Sequence, residues 1–181
     1  MIRHASLGDV DCPDLFSQLG EDASYCRVLM DLEERYRDTA EPFRICGLSL
    51  GGVLALDYAA RHGEQVASLV LIGAQYRVPT HLVDFQNLVF RCMPEKAFGP
   101  MGMTKRETIQ LSRSMRCLDL TGQLRNIQCP VTILCGEKDR ANLKASKLLK
   151  ENLPQGKLHI IPGVGHEINK FAPEAIAPFL K

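Results

Sequence analysis

Little in this sequence is charged to excess, repeated, or long and apolar, and each shortage removes a class of protein. Lysine and arginine number 22 against 21 aspartates and glutamates, and the charges are dispersed without a basic stripe, which excludes the electrostatic footprint of a nucleic-acid binder. No stretch reaches the ~20 apolar residues of a membrane helix, and the opening MIRHASLGDV lacks the apolar core of a secretory signal. The expectation is a cytoplasmic protein without a membrane span. The seven cysteines are an odd number without CxxC spacing, so neither a disulfide framework nor a metal site is indicated. Those thiols, Cys46 included, are expected to be reduced and mostly buried. Internal repeats and low-complexity tracts are missing too. What remains is 181 residues, 45% of them hydrophobic, enough for one globular domain, 1–181, with a substantial core.

Alternation of strand-like and helix-like stretches organises that domain. Residues 21–38 place Tyr25, Val28, Leu29, Leu32 and Tyr36 at helical spacing with charges opposite, DLEERYRD forming the solvated face. FRICGL (43–48) is a short apolar run, followed by LGGVLALDYAARHG, in which Gly63 marks a helix end. VASLVLIGA (66–74), VTILCG (131–136) and KLHIIPG (157–163) read as further strands, and continuous runs of this kind predict parallel strands covered on both faces. Residues 77–128 are too many for a plain loop and are expected to form a small helical insert. In it, THLVDFQNLVF and TKRETIQLSRSMR are helical, the second opening on a Thr104/Glu107 capping box. The fold class is α/β, a mostly parallel sheet flanked by helices.

At GLSLGG a strand would end at Ser49 and a helix begin at Leu50. Such a turn displays a serine hydroxyl in a strained conformation, with Gly47 and Gly51 giving clearance two residues to either side and Gly52 extending it. Two other readings compete. A G-x-S-x-x-G turn approaches the dinucleotide fingerprint, but that motif demands a carboxylate closing the next strand, and here the strand ends LIGAQ. A purely structural glycine turn remains the other alternative.

A serine becomes a nucleophile only when a base removes its proton, and the base needs an orienting carboxylate. Reactive groups of an α/β sheet gather past the carboxyl ends of its strands. His166, in GVGHEIN after KLHIIPG, meets that rule. His159 falls inside a strand, His62 ends a helix, His81 lies in the insert and His4 near the start. Asp139, closing VTILCGEKD, is the predicted acid, with Glu137 facing solvent or capping a helix. The chain order Ser49, Asp139, His166 is the order of one known hydrolase architecture.

From about Val10 onward the chain resembles the α/β-hydrolase family of serine esterases, lipases and aminopeptidases, with GLSLGG, GEKD and GVGHE matching its nucleophile, acid and histidine loops. The resemblance implies hydrolysis of an ester, thioester or amide of a small-molecule acyl substrate through an acyl-enzyme, without cofactor, and with 77–128 as the cap insert. It also implies departures. The family places several strands and a His-Gly oxyanion loop ahead of the elbow, whereas only 48 residues precede Ser49, with GDVDCPDLF (8–16) resembling the strand and loop just upstream of the helix before the elbow.

The expectation is therefore a truncated α/β-hydrolase fold with the Leu50 N–H as its remaining oxyanion donor, and losing one such donor costs about 10²–10³ in turnover. Bared strand edges predict a homodimer formed through an exposed edge. The competing expectation is a catalytically impaired remnant that serves as a binding or interaction module. Phe85, Leu88, Val89, Phe90, Met93, Met101 and Met103 in the insert either line an acyl pocket or pack the cap.

Overall fold

A computed structural model describes residues 10–16, 19–99, 102–153 and 155–180. The chain gathers into two compact units, one containing Thr39–Tyr76 and Leu120–Lys181, the other Asp11–Asp38 and Arg77–Asp119.

The first unit is built on four parallel strands, β1 (Phe43–Leu48), β2 (Val66–Ile72), β3 (Val131–Gly136) and β4 (Gly156–Ile161), arranged in chain order across the sheet. Register aligns their carboxyl ends. Leu48 stands opposite Ile72, Ile72 opposite Leu134, and Gly136 opposite Ile161, so whatever follows each strand emerges along one rim.

The inner strands β2 and β3 are buried over most of their length, as continuous apolar runs require. The outer strands depart from that expectation: β1 and β4 alternate between covered and exposed positions. Each has a single strand neighbour among the described residues. Helix α2 (Leu50–Arg61) packs on β1 and β2, and α5 (Arg140–Asn152) packs on β3 and β4. Val70, Ile72 and Leu134 meet Ile168, Ala172 and Ile176 of the C-terminal segment, which includes α6 (Ile168–Phe171). Leu69, Leu71 and Ile133, one position out of phase and therefore on the opposite face, are equally buried.

The second unit holds α1 (Tyr25–Tyr36), α3 (Thr80–Cys92) and α4 (Lys105–Ser114), with α4 packed on both of the others. The expected helices form where the periodicity places them. Ser24 caps α1 through the Arg27 N–H, and the Thr104/Glu107 capping box is present at α4. The Ser114 hydroxyl accepts the Tyr25 N–H at 2.7 Å, tying α1 to the end of α4. Helix α3 turns Val83 and Asn87 inward but leaves Phe85, Leu88 and Val89 exposed, so these do not pack a core; Met101 lies outside the described residues.

Two further expectations need correction. The GDVDCPDLF stretch contains no strand from Val10 to Phe16, while Gly8 and Asp9 lie outside the described residues. Its aspartates and proline are poor strand formers, and the Asp11 carboxylate instead accepts hydrogen bonds from Arg35 at 2.9 Å and Tyr36 at 2.7 Å on α1. Those two donors hold the Asp11 carboxyl below its usual range.

The cysteines are not mostly buried either. Cys135 is buried and Cys129 half-buried, whereas Cys12, Cys26, Cys46, Cys92 and Cys117 are exposed. Cys46 falls on the outward phase of β1 and so is not core packing.

Candidate active site

The elbow follows from the βα junction. Ser49 has φ 55° and ψ −116°, a backbone conformation costing about 1–3 kcal/mol for a residue with a side chain. Its N–H donates to the Ile72 carbonyl at 2.8 Å, and its carbonyl accepts the N–H groups of Gly52 at 3.0 Å and Val53 at 3.1 Å as α2 begins. Surrounding main chain thus fixes the strain from both sides.

Of the two glycines that frame the serine symmetrically, one is required by packing and the other is not. A Cβ on Gly47 would sit 2.3 Å from the Gly51 carbonyl oxygen, and one on Gly52 would sit 2.6 Å from the Ala74 Cβ. A Cβ on Gly51 would meet nothing within 4 Å, so close approach is demanded at 47 and 52 and not at 51.

Leu50 is the first residue of α2, and its N–H has no acceptor among the described residues. It is one of the orphan donors that give a helix start its partial positive charge.

The other two predicted residues meet directly. His166 Nδ1 lies 2.8 Å from Asp139 Oδ2, with the Asp139 side chain 4% exposed and that of His166 37% exposed. An ionised carboxylate here makes Nδ1 the protonated nitrogen and leaves Nε2 as the basic one. Asp139 is simultaneously the N-cap of α5, accepting the Asn142 N–H, so a cap and an imidazole share one carboxylate.

Glu137 is exposed, and its Oε2 accepts the Gly163 N–H at 2.8 Å, holding the histidine loop rather than a helix end. Main-chain bonds from Glu137 to Ile161 at 2.9 Å and from Lys138 to Val164 at 2.8 Å complete that seam.

Ser49 occupies the same rim. Its N–H reaches Ile72, and the next residue, Gly73, lies directly against the imidazole: a Cβ there would be 2.8 Å from His166 Cε1 and Nδ1. Gly73 also has φ 55°, a region glycine enters without penalty. Among the described residues the Ser49 hydroxyl itself makes no hydrogen bond. Such bonds commonly tighten only when substrate is present.

Sequence reasoning missed several residues that build this corner. The Asn142 amide nitrogen is 2.9 Å from both Asp139 oxygens, and Gln75 Nε2 donates to Asn142 Oδ1 at 2.7 Å. Asn142 stands three residues after the acid, in the first helical turn, a spacing that could have identified it; Gln75 carried no such signal. Gly136 is a close-packing position as well, with a Cβ there falling 2.1 Å from the Gly165 carbonyl oxygen, a contact between distant loops that no local pattern signals.

The remaining histidines are placed elsewhere. His62 ends α2 against the Tyr58 ring, His159 sits in β4 against Phe179, and His81 opens α3, while His4 lies outside the described residues. Cys135 is fully buried just before this corner. Desolvation, with a smaller contribution from the Asp139 charge, pushes its thiol above the ordinary range. It is no nucleophile.

Among the described residues no cluster of three or more His, Cys, Asp or Glu could hold a metal ion, and no helix is long and apolar enough to cross a membrane.

Comparison with known proteins agrees with this architecture. A family described as serine aminopeptidase, S33, matches residues 14–120, more than half of the chain. A pimeloyl-(acyl-carrier protein) methyl ester esterase from Aromatoleum aromaticum is 66% identical over 29 residues, a stretch covering 16% of this chain and 12% of that protein's own length. An α/β-hydrolase enzyme from a Medee basin deep-sea metagenome library superposes with a TM-score of 0.76 at 18% identity, over 87% of this chain and 70% of that one. An esterase from Exiguobacterium antarcticum does so with a TM-score of 0.73 at 19% identity, over 96% and 78%. Identities this low establish the fold alone. The family match places the chain in the serine aminopeptidase S33 family, and its fold is the one those α/β-hydrolase structures share.

Proposed function

We propose that Ser49, His166 and Asp139 form a catalytic triad that hydrolyses a carboxylic ester, thioester or amide of a small-molecule acyl substrate. The observation that carries this reading is the 2.8 Å contact between His166 Nδ1 and Asp139 Oδ2 on the rim where Ser49 is held at the elbow.

The Ser49 oxygen attacks the substrate carbonyl carbon while His166 Nε2 takes the hydroxyl proton. The tetrahedral oxyanion faces the Leu50 N–H. Collapse expels the alcohol, thiol or amine, which leaves with the proton returned by His166, and the acyl group stays on Ser49. Water, deprotonated by the same imidazole, then attacks the acyl carbon, and the Ser49–acyl bond breaks as His166 returns the proton to the Ser49 oxygen, releasing the acid. Throughout, Asp139 holds the ring and stabilises its charged form.

The short match to a methyl ester esterase and the esterase among the fold relatives favour an ester as the first substrate to assay, while the family description keeps amides in view. In the same reading the chain is one α/β-hydrolase domain, residues 77–128 are its cap insert, and two copies associate through the outer edge of β1; a solution mass measurement decides the last point.

The test is covalent labelling with a fluorophosphonate. Wild-type protein is expected to acquire one adduct, on Ser49, and Ser49→Ala to acquire none. Equal labelling of the two would remove Ser49 from the mechanism.

A further inference from the structure

Four hydrogen bonds converge on the Asp139 carboxylate, matching the about four acceptor positions of an ionised carboxyl. His166 supplies one, at 2.8 Å to Oδ2. Asn142 supplies the other three: its main-chain N–H at 3.3 Å to Oδ1, and its side-chain amide at 2.9 Å to each oxygen. Asn142 is 8% exposed, so no solvent is at hand to replace those donors.

The amide nitrogen also lies 3.2 Å from His166 Nδ1. With Asp139 ionised, Nδ1 carries a proton directed at the carboxylate, and the Asn142 hydrogens can then serve only the carboxylate. This orientation is fixed from behind, because Gln75 Nε2 donates to Asn142 Oδ1 at 2.7 Å. Were the amide reversed, two donors would face each other at Gln75 and an oxygen would face the carboxylate. Gln75 stands at the end of the β2 rim, two residues past Gly73, against which the imidazole lies.

We propose that Asn142 and Gln75 are positioning residues, a two-step relay from the β2 rim that holds the Asp139 carboxylate in the rotamer that accepts the His166 Nδ1–H hydrogen bond. The proposal rests on the Ser49–His166–Asp139 reading for its catalytic consequence, but not for its structural content. The main-chain cap from Asn142 survives any side-chain change, so α5 keeps its start while the carboxylate loses its fixed direction.

The experiment compares wild type with Asn142→Ala, Gln75→Ala and the double variant by two measurements. One is the rate of fluorophosphonate labelling of Ser49. The other is the downfield proton NMR resonance of the His166 Nδ1–H, which reports the imidazole–carboxylate bond whether or not Ser49 reacts. Asn142→Ala is expected to slow labelling about 10- to 100-fold, the scale of a small misplacement in an active site, and to broaden or lose the resonance. Gln75→Ala should do the same more weakly, and add nothing in the Asn142→Ala background, since the two act in series.

Labelling at the wild-type rate with the resonance unchanged in both single variants would overturn the relay, as would full additivity in the double variant. If wild type labels no faster than Ser49→Ala, the triad reading fails instead, and the resonance alone decides the positioning. Should Asn142→Ala not fold, Gln75→Glu turns the donor facing Asn142 Oδ1 into an acceptor and carries the same expectation.

Discussion

Three alanine substitutions around Ser49 separate what the elbow's geometry requires from what its motif suggests. At Gly47 the new methyl would lie 2.3 Å from a main-chain carbonyl oxygen, and at Gly52 it would lie 2.6 Å from a Cβ fixed to main chain. Comfortable carbon contacts are about 3.5–4.0 Å, so strand and helix must separate by about an ångström in either case. Forcing extra methyls into a closed interior costs about 1–3 kcal/mol, and a clash of main chain with main chain belongs at the upper end.

At Gly51 nothing lies within 4 Å, and the residue is already in α2. Alanine there removes glycine's helix penalty, about 0.8–1.0 kcal/mol in a helix interior and less near an end. Gly51→Ala is therefore expected to be neutral or slightly stabilising, with Gly47→Ala and Gly52→Ala each less stable than wild type by about 2–3 kcal/mol. For a chain of this length, about 2–4 °C of Tm per kcal/mol turns the gap into roughly 10 °C. Urea denaturation gives the free energies, and thermal scans the midpoints. If Gly51→Ala proved as damaging as Gly52→Ala, the steric account of the elbow would be wrong.

Other expectations are shorter to state. Asp139→Asn should retain the α5 cap, because asparagine caps about as well as aspartate, yet lower ester turnover by about 10⁴ if the triad operates; steady-state kinetics beside a denaturation curve measures both. Glu107 has its carboxyl held below the usual range by the Thr104 main-chain N–H, and then by the Thr104 hydroxyl. Since the folded value is the lower one, its capping contribution is present above the unfolded carboxyl's titration near ~4.3 and disappears as pH falls through the folded value. The stability difference between wild type and Glu107→Gln should accordingly narrow with acidification, and a difference independent of pH would contradict this. Brief alkylation of native protein at pH 8 should modify Cys12, Cys26, Cys46, Cys92 and Cys117 and spare Cys135, whose burial both shields the sulfur and disfavours the thiolate; peptide mass mapping reads the result.

Much of the sheet was legible because strand runs and helix periodicity are local. FRICGL and VTILCG coincide with β1 and β3, and Thr104 with Glu107 announces α4. The loops bearing Asp139 and His166 were legible from their positions after strands, since parallel register brings strand ends together. Exposure was harder to read. Cys46 sits in an apolar run yet faces outward, because β1 is an outer strand among the described residues, a property of sheet order that no short window contains. Asn142 and Gln75 lie 67 positions apart, and only tertiary contact reveals that one orients the other. Gly51 misled for the opposite reason: a motif records spacing, whereas the collision belongs to the next glycine.

The seat of the imidazole has a consequence for how this chain tolerates change. It is shaped by two hydrogens where other residues carry a methyl, at Gly73 against the ring and at Gly136 beneath the Val164–Gly165 carbonyls. Neither position offers a functional group, so a survey of reactive side chains would pass over both. If the proposed triad operates, a saturation scan selecting for hydrolysis should nevertheless find them among its least permissive sites, while Gly165, with open space around it, accepts substitution.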